Sequence, residues 1–332
     1  MKKTLVALAV LAASGASFAQ VTLTGDLEYG YAQSHKGSNG GDAGGWGVDT
    51  SELYFDAVED LGGGLKVSAH MGLIGADRSH EGAGSNKAVT GEDAKLTVSG
   101  GFGSVMFGAV RNGDYMNGVT GVAAAPGFDG KVDGARSYRD VIIYNSPALI
   151  PGLTGQIYLS EPNYQSNAAA DTGLGAGSLG STGQRKDILS LNYGAGAVKA
   201  NIGYISADNR DSANAASTKL ANGYRLGGTY DAGVVLVGAG YERDSLDNGT
   251  DTTTALNLNV PLGAFSVGAN WVSRQFSGKP GQADGTKTGY GLGARYALSK
   301  STAVWAQMWS FDDVVNTSDR STGFEMAIAK SF

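Results

Sequence analysis

Apolar and polar residues alternate in short runs along most of this chain. In the last run, Phe324, Met326, Ile328 and Phe332 share one parity, and small or polar residues occupy the other. Successive side chains of a strand point to opposite faces, so this pattern predicts a strand with one apolar and one polar face. Terminal segments usually fray unless they are tied down. We therefore expect this strand to be paired on both edges, with the first strand closing the sheet into a barrel.

The candidate first strand has the same two-faced pattern with charge on its polar side. Leu23, Leu27 and Tyr29 lie on one parity, while Asp26 and Glu28 lie on the other. A soluble barrel would turn the apolar face inward, whereas a membrane barrel turns it to lipid and lines its lumen with the polar face. The first strand by itself is compatible with both arrangements.

Charged residues on the other strands favour the membrane arrangement. Lys66, Lys95 and Arg295 all fall on the polar parity of their strands. Isolated charges are costly to bury, so this parity is predicted to face water. A soluble two-sheet sandwich remains an alternative for any one strand. It explains less well a long series of strands without a domain linker.

The connections between the strands come in two lengths. Seven short turns contain glycine, proline or small polar residues, as hairpin turns require, and lie at 60–64, 100–103, 147–152, 194–197, 231–233, 261–263 and 299–301. Eight longer polar stretches lie at 34–47, 75–89, 112–135, 161–184, 207–219, 244–251, 275–286 and 312–321. Together they join sixteen strands. Short periplasmic turns and long extracellular loops are typical of bacterial outer-membrane barrels, so the predicted fold is an all-β, antiparallel transmembrane barrel.

The first residues of the sequence predict that the chain is exported from the cytoplasm. Residues 1–19 resemble a secretory signal, with Lys2 and Lys3 before an apolar stretch and a small-x-small site at 17–19. Its removal leaves 20–332 as one barrel domain and takes the formal net charge from −6 to −8. Such an acidic chain does not suggest nucleic acid binding. The chain has no cysteine, so closure of the sheet, rather than disulfides, is expected to hold the fold together.

Residue patterns typical of enzymes and metal sites are missing from the sequence. The three histidines lack metal-ligand spacing, and neither a nucleophile elbow nor a phosphate-binding loop is present. Asp244, Asp247 and Asp251 could hold calcium, but their spacing is not that of an EF-hand, and a solvated acidic loop is the preferred interpretation. We therefore expect no catalysis, no cofactor and no bound metal.

Several motifs resemble those of the general diffusion porins of Gram-negative outer membranes. Residues 58–65 (VEDLGGGL) are similar to that family's SEDLGNGL turn, and residues 99–105 (SGGFGSV) are similar to its SGGFGTV turn. Residues 144–147, residues 297–302 and the terminal Phe332 also match family positions. These matches extend over the whole chain after the signal. The resemblance implies a homotrimer in the outer membrane, in contact with lipopolysaccharide and inserted by the barrel-assembly machinery, with Phe332 as the assembly signal.

The resemblance also implies where the pore is narrowest. In that family the third long loop, here 112–135, folds into the lumen and faces charged residues on the wall. The loop-side candidates are Asp114, Asp129, Lys131 and Asp133. The wall candidates are Lys66, His70, Arg111, Arg136 and Arg139, together with Glu52 and Asp56, which stand where the family usually has basic residues. Opposed charges across a constriction create a transverse field that sorts solutes by charge.

The expected function is passive diffusion of small hydrophilic solutes and ions. The acidic chain and the two acidic replacements on the wall favour cations. One alternative is a substrate-specific channel for a sugar or an organic acid, which an aromatic track through the lumen would favour. The other is an adhesive or structural surface barrel, which a lumen closed to ions would favour.

Overall fold

The computed structural model describes residues 20–35, 42–75, 89–112, 115–121, 124, 132, 137–161, 184–209, 220–278, 283–313 and 319–332. The predicted signal peptide lies outside these residues, as do five of the predicted constriction residues: Asp114, Asp129, Lys131, Asp133 and Arg136.

Sixteen strands and one short helix make up the described structure. The first eight strands are β1 (Gln20–His35), β2 (Ala43–Gly62), β3 (Leu65–Ile74), β4 (Thr90–Gly100), β5 (Gly103–Asn112), β6 (Ser137–Asn145), β7 (Leu153–Ser160) and β8 (Gln184–Ala195). The last eight are β9 (Val198–Asn209), β10 (Leu220–Asp231), β11 (Leu236–Leu246), β12 (Gly249–Leu262), β13 (Phe265–Ser277), β14 (Gly285–Ala297), β15 (Thr302–Asp312) and β16 (Arg320–Ser331). Helix α1 (Tyr115–Thr120) lies between β5 and β6. None of the described helical residues forms a helix long and apolar enough to cross a membrane.

Every strand pairs antiparallel with its neighbours in sequence, and β16 pairs with β1 to close the barrel. The closing register places Tyr29 opposite Ile328. At the end of the seam, Gly25 and Phe332 exchange two backbone hydrogen bonds, each 3.0 Å long. Closure leaves no sheet edge with unpaired backbone groups in lipid, where each such group would be costly. The predicted sixteen-stranded barrel and its closure by the first and last strands are confirmed.

The apolar parity of the strands faces outward. Leu23, Leu27 and Tyr29 on β1 are about half exposed, and Phe324 and Ile328 on β16 are exposed as well. Tyrosine and phenylalanine side chains are also exposed on many other strands, among them Phe107, Tyr193, Tyr204, Tyr224, Tyr230 and Tyr296. A surface of this kind is unstable in water and suited to lipid. The lumen therefore lies on the parity that carries the charges.

One predicted loop proved to be a tight hairpin. Strand β11 runs to Leu246 and β12 starts at Gly249, so only Asp247 and Asn248 form the turn between them. Asp-Asn-Gly suits a two-residue turn because these residues adopt left-handed conformations with little strain. The prediction of a long loop at 244–251 was wrong, because a polar strand with threonines and aspartates was taken for loop.

Part of the inner wall is apolar, which the alternating pattern did not predict. An apolar cluster extends across the inner face from β5 to β10 and contains Val110, Val141, Tyr158, Ile188, Ile205 and Leu220. Ile205 is 0% exposed. Strand β6 is apolar on both parities around residues 141–143, because one side meets lipid and the other packs inside the barrel.

Candidate functional site

The connection between β5 and β6 enters the lumen. Helix α1 packs on the inner faces of β10, β11 and β12. Its C-terminal end is held by Asn257 on β12, whose side-chain Nδ2 donates to the carbonyl oxygens of Thr120 (3.2 Å) and Gly121 (3.0 Å). Carbonyl groups at the end of a helix have no partner within it. The Asn257 side-chain amide is the hydrogen-bond partner of these carbonyl groups, and it thereby holds this part of the loop against the inner wall.

Glycines on the wall allow this close approach. A Cβ at Gly238 would overlap the backbone of Thr120. One at Gly240 would lie 2.8 Å from Met116 Sδ. These two positions on β11 form a flat seat on which α1 can lie against the strand backbone. The sequence offered a signal for this seat in the repeated glycines of β10 and β11, but high glycine throughout the chain concealed it.

A second anchor holds the loop further along. Val132 is 2% exposed and packs with Met116, Ala255 and Val272. Arg274 on β13 donates from Nη1 to the Val132 carbonyl oxygen at 3.2 Å. Both carboxylate oxygens of Asp251 on β12 accept hydrogen bonds from the same guanidinium, from Nε at 2.9 Å and from Nη2 at 2.7 Å. A bidentate carboxylate pair orients the guanidinium. Arg274 therefore links the wall to the loop in a fixed orientation.

Tyr115 at the start of α1 links the loop to the wall at β9 and β10. Its hydroxyl donates to Asn201 Oδ1 at 2.8 Å, and the Arg225 guanidinium lies 4.1 Å from the centre of its ring. Burial raises the pKa of Tyr115 to about 12. The hydroxyl therefore remains a neutral hydrogen-bond donor at every physiological pH.

A cavity of about 640 Å³ lies between α1 and the wall formed by β7 to β11. Its polar lining includes the cationic side chains of Lys199 and Arg225 and the amides of Gln156, Asn192 and Asn201. Asn201 donates to Asn192 across the strand pair at 2.7 Å. This side of the lumen is thus lined by amides and two cations.

Four of the predicted wall residues come together on β2, β3 and β5. Asp56 accepts from His70 Nδ1 at 2.8 Å. Glu52 lies 3.8 Å from Arg111 Nη2 and also accepts a hydrogen bond from the Tyr54 hydroxyl. Sequence reasoning placed these residues on one wall, and the strand register does bring them together. Their role in solute selection remains a prediction.

Two acidic residues of this wall on β4, Glu92 and Asp93, were missed, whereas Lys95 on the same strand was already assigned to the polar face. Glu92 pairs with Arg111 at 2.7 Å and its side chain is 6% exposed, while Lys95 pairs with Asp93 at 2.7 Å. The register shifts here, because Met71 faces Ala94 whereas Leu73 faces Gly91. The one extra residue of β4 forms a bulge, in which Glu92 and Asp93 together are opposite Gly72, and both acids turn toward this wall. Simple alternation has no means of anticipating a bulge.

The remaining described candidates lie apart from this group. Lys66 on β3 is opposite Asp60 and Ser99, close to the short turns. Arg139 on β6 is opposite Val110, beside the apolar inner cluster. The structure therefore does not gather every predicted basic residue around one point.

The aspartates considered for calcium form no site in the described structure. Asp251 forms an ion pair with Arg274, and Asp247 lies in the β11–β12 turn. No group of three or more acidic or histidine side chains suited to a metal occurs among the described residues.

These features together define a transmembrane β-barrel with a charged lumen that one of its own loops enters. The chain belongs to the family of Gram-negative porins, whose family model matches residues 4–313. It is an outer-membrane protein, and its fold is the porin barrel.

Individual relatives agree with this assignment. The outer membrane porin protein 32 of Delftia acidovorans is 29% identical, over 93% of this chain and 89% of that protein. A solved structure described as an anion-selective porin from Comamonas acidovorans superposes with a TM-score of 0.70 at 20% identity, covering 95% of this chain and all of that one. The trimer form of OmpT from Vibrio cholerae gives a TM-score of 0.65 at 13% identity, covering 95% and 99%. At these identities the solved structures show a shared fold.

Proposed function

We propose that each barrel is a passive diffusion channel for small hydrophilic solutes and ions, and that three copies assemble into a trimer. The observation that carries this proposal is the third loop, anchored by Asn257 and Arg274 inside the lumen beside a polar-lined cavity of about 640 Å³. An inserted loop narrows a wide barrel to a size that selects solutes without requiring a binding step. The trimeric relative supports the assembly.

We further propose that the channel favours anions. The acidic sequence led us to expect cation preference, but several lumen carboxylates are paired: Glu92 with Arg111, Asp93 with Lys95 and Asp251 with Arg274. Lys199 and Arg225 form no ion pair with any described residue, and both line the cavity beneath α1. A relative with the same fold is described as anion-selective. Unpaired cations beside the solute path attract anions, and a low-dielectric wall strengthens the attraction.

The test is a single-channel recording in a planar bilayer, with the reversal potential measured across a salt gradient. Three-step openings and a reversal potential of the sign for anion preference are expected. Lys199→Gln should move the reversal potential toward the cation side. Lys300→Gln, which removes the same charge from an exposed turn, should leave it unchanged. A folded protein that conducts no ions would refute the channel, and a cation-selective reversal potential would refute only the preference.

We also propose that Phe332 serves as the assembly signal. Its backbone pairs with Gly25 at the seam, so deleting it removes two hydrogen bonds at the point where the barrel closes. We expect the deletion to reduce strongly the fraction of folded barrel in the outer membrane. Heat-modifiable mobility on gels measures that fraction. Phe332→Tyr keeps the aromatic ring and the backbone bonds, so it should assemble normally. Wild-type assembly of the deletion would contradict the proposal.

A further inference from the structure

A second, smaller cavity opens on the opposite side of the lumen. It has a volume of about 240 Å³ and lies where β1, β2, β14 and β15 meet Ala124 of the third loop. Three charged side chains, one indole and one amide line it: Glu28, Asp49, Arg295, Trp305 and Gln307. This volume is below the range of about 300–1,000 Å³ that is usual for drug-sized ligands. The cavity therefore suits a small metabolite.

A β-bulge brings the second acid to this cavity. On β1, Glu28 faces Thr50 and Tyr29 faces Val48, so Asp49 is the extra residue of β2. A regular register would give Asp49 and Thr50 opposite faces, whereas the bulge turns Asp49 to the same cavity as Glu28. Bulges commonly redirect a side chain beside a functional site. Two carboxyl groups consequently face one side of the cavity.

The opposite charge faces the same space without closing on these acids. Arg295 is solvent-exposed and within electrostatic range of Glu28. Among the described residues Arg295 has no ion pair within 4.0 Å. The Glu28 carboxylate also lies within hydrogen-bonding range of the Trp305 indole on β15, and Trp305 is directly opposite Arg295 in the β14–β15 pair. The cavity is thus a gap lined by a positive side chain from β14 and by negative side chains from β1 and β2.

We propose that this cavity is a subsite for small zwitterions of the α-amino acid type. The solute carboxylate lies at the Arg295 guanidinium, which offers the planar fork suited to carboxylates. Its ammonium group lies at Glu28 and Asp49, and its carbon atoms lie against the Trp305 ring. A simple anion or cation satisfies only one end of the gap and is repelled by the other.

The subsite rests on the proposed channel function, because a solute reaches it only along the lumen. A neighbouring cavity of about 620 Å³ shares Asp49 and is lined by Trp309 and Glu325 as well. Gln307 donates to Glu325 at 3.1 Å. Trp305 and Trp309 lie four residues apart on the inner side of β15, and each lines one of the two cavities.

The experiment uses the folded channel in a planar bilayer at pH 7 and measures current block by added solute. The probe is L-leucine. Isoamylamine lacks the carboxylate, 4-methylpentanoate lacks the ammonium, and both keep the branched apolar side chain of leucine. We expect leucine to block the current in a concentration-dependent manner. At the same concentrations, each of the other two compounds should block the current at least tenfold less.

Three variants locate the block. Arg295→Gln and Asp49→Asn should each weaken apparent leucine affinity about tenfold, the effect of removing one charged hydrogen-bond partner. Lys199→Gln, in the other cavity, should shift the reversal potential and leave leucine block unchanged. If Arg295→Gln does not assemble, Asp49→Asn alone decides, because it keeps the size and shape of the side chain.

The outcomes separate the two proposals. Normal conductance without leucine block, equal block by isoamylamine, or block that persists in Asp49→Asn would overturn the subsite and leave the channel intact. A wild-type protein that does not conduct would overturn the channel, and the subsite with it. Selective leucine block that both variants weaken would establish the subsite.

Discussion

The two sides of the lumen differ in how they use their side chains. On β10 to β13, glycines and Asn257 hold the third loop in direct contact, and the groups between wall and loop are buried: Met116 is 2% exposed and Val272 0%. On β2 to β5 the wall carries ion pairs of mixed burial: the His70 and Asp56 side chains are 24% and 43% exposed, whereas Glu92, paired with Arg111, is 6% exposed. We propose that the first side sets the size of the pore and that the second presents charge to passing solutes.

The difference follows from what each side contacts, which is a packed loop on one side and water on the other. A loop can lie on a strand only where side chains are small and where its carbonyl groups find donors. A solute path needs charge in contact with water, where ion pairs contribute little to stability. The same polar parity of the strands therefore packs against the loop on one side and carries ion pairs on the other.

The largest effect is expected for Arg274→Gln. This change leaves Asp251, whose side chain is 9% exposed, without its guanidinium, and also removes the bond to Val132. Breaking a buried pair costs about 3–5 kcal/mol. Urea unfolding of the folded barrel in detergent should show a loss of this size, and single-channel records should show new current fluctuations.

A double variant is the control for that experiment. Arg274→Gln with Asp251→Asn removes the stranded charge, so it should recover much of the unfolding free energy while the current fluctuations persist. If Arg274→Gln alone had the unfolding free energy and the steady current of the wild type, the link that Arg274 makes between wall and loop would have no function.

A smaller effect is expected for Gly238→Val. The new side chain overlaps the backbone of Thr120, so α1 must move away from its seat, at a cost of about 1–3 kcal/mol for overpacking. Conductance should change, because the loop sets the open area. Gly194→Ala is the matched control: it also lies on the lumen parity, but its Cβ would enter open space. Identical conductance in both variants would rule out the seat.

The smallest effect on stability is expected for His70→Gln on the other side. The partner carboxylate Asp56 is close to half exposed, and pairs of this kind contribute about 0–1 kcal/mol. The unfolding free energy should therefore fall by less than about 1 kcal/mol. A loss of several kcal/mol would mean that this wall is as tightly built as the side that holds the loop, and the contrast between them would fail.

Much of the barrel could be predicted because the alternation of apolar and polar residues depends only on residues close together in the chain. The apolar parity of β1 and β16 was sufficient to predict their pairing, and glycine-rich turns such as 62–64 separated the strands. The loop at 244–251 was predicted wrongly because threonine and aspartate occur both in polar strands and in loops. Glu92, Asp93 and Asp49 were missed because bulges change the register without a marker in the alternation.

The sequence by itself determined the class of fold, the number of strands and which face meets lipid, because each depends on a two-residue period and on turn residues close together in the chain. Only the tertiary structure decided where the third loop rests, which charges are paired and which side of the lumen is packed. Those properties arise between residues more than a hundred positions apart, such as Asn257 with Thr120 and Arg274 with Val132. They depend on barrel closure and strand register, which bring distant residues to the same height in the lumen.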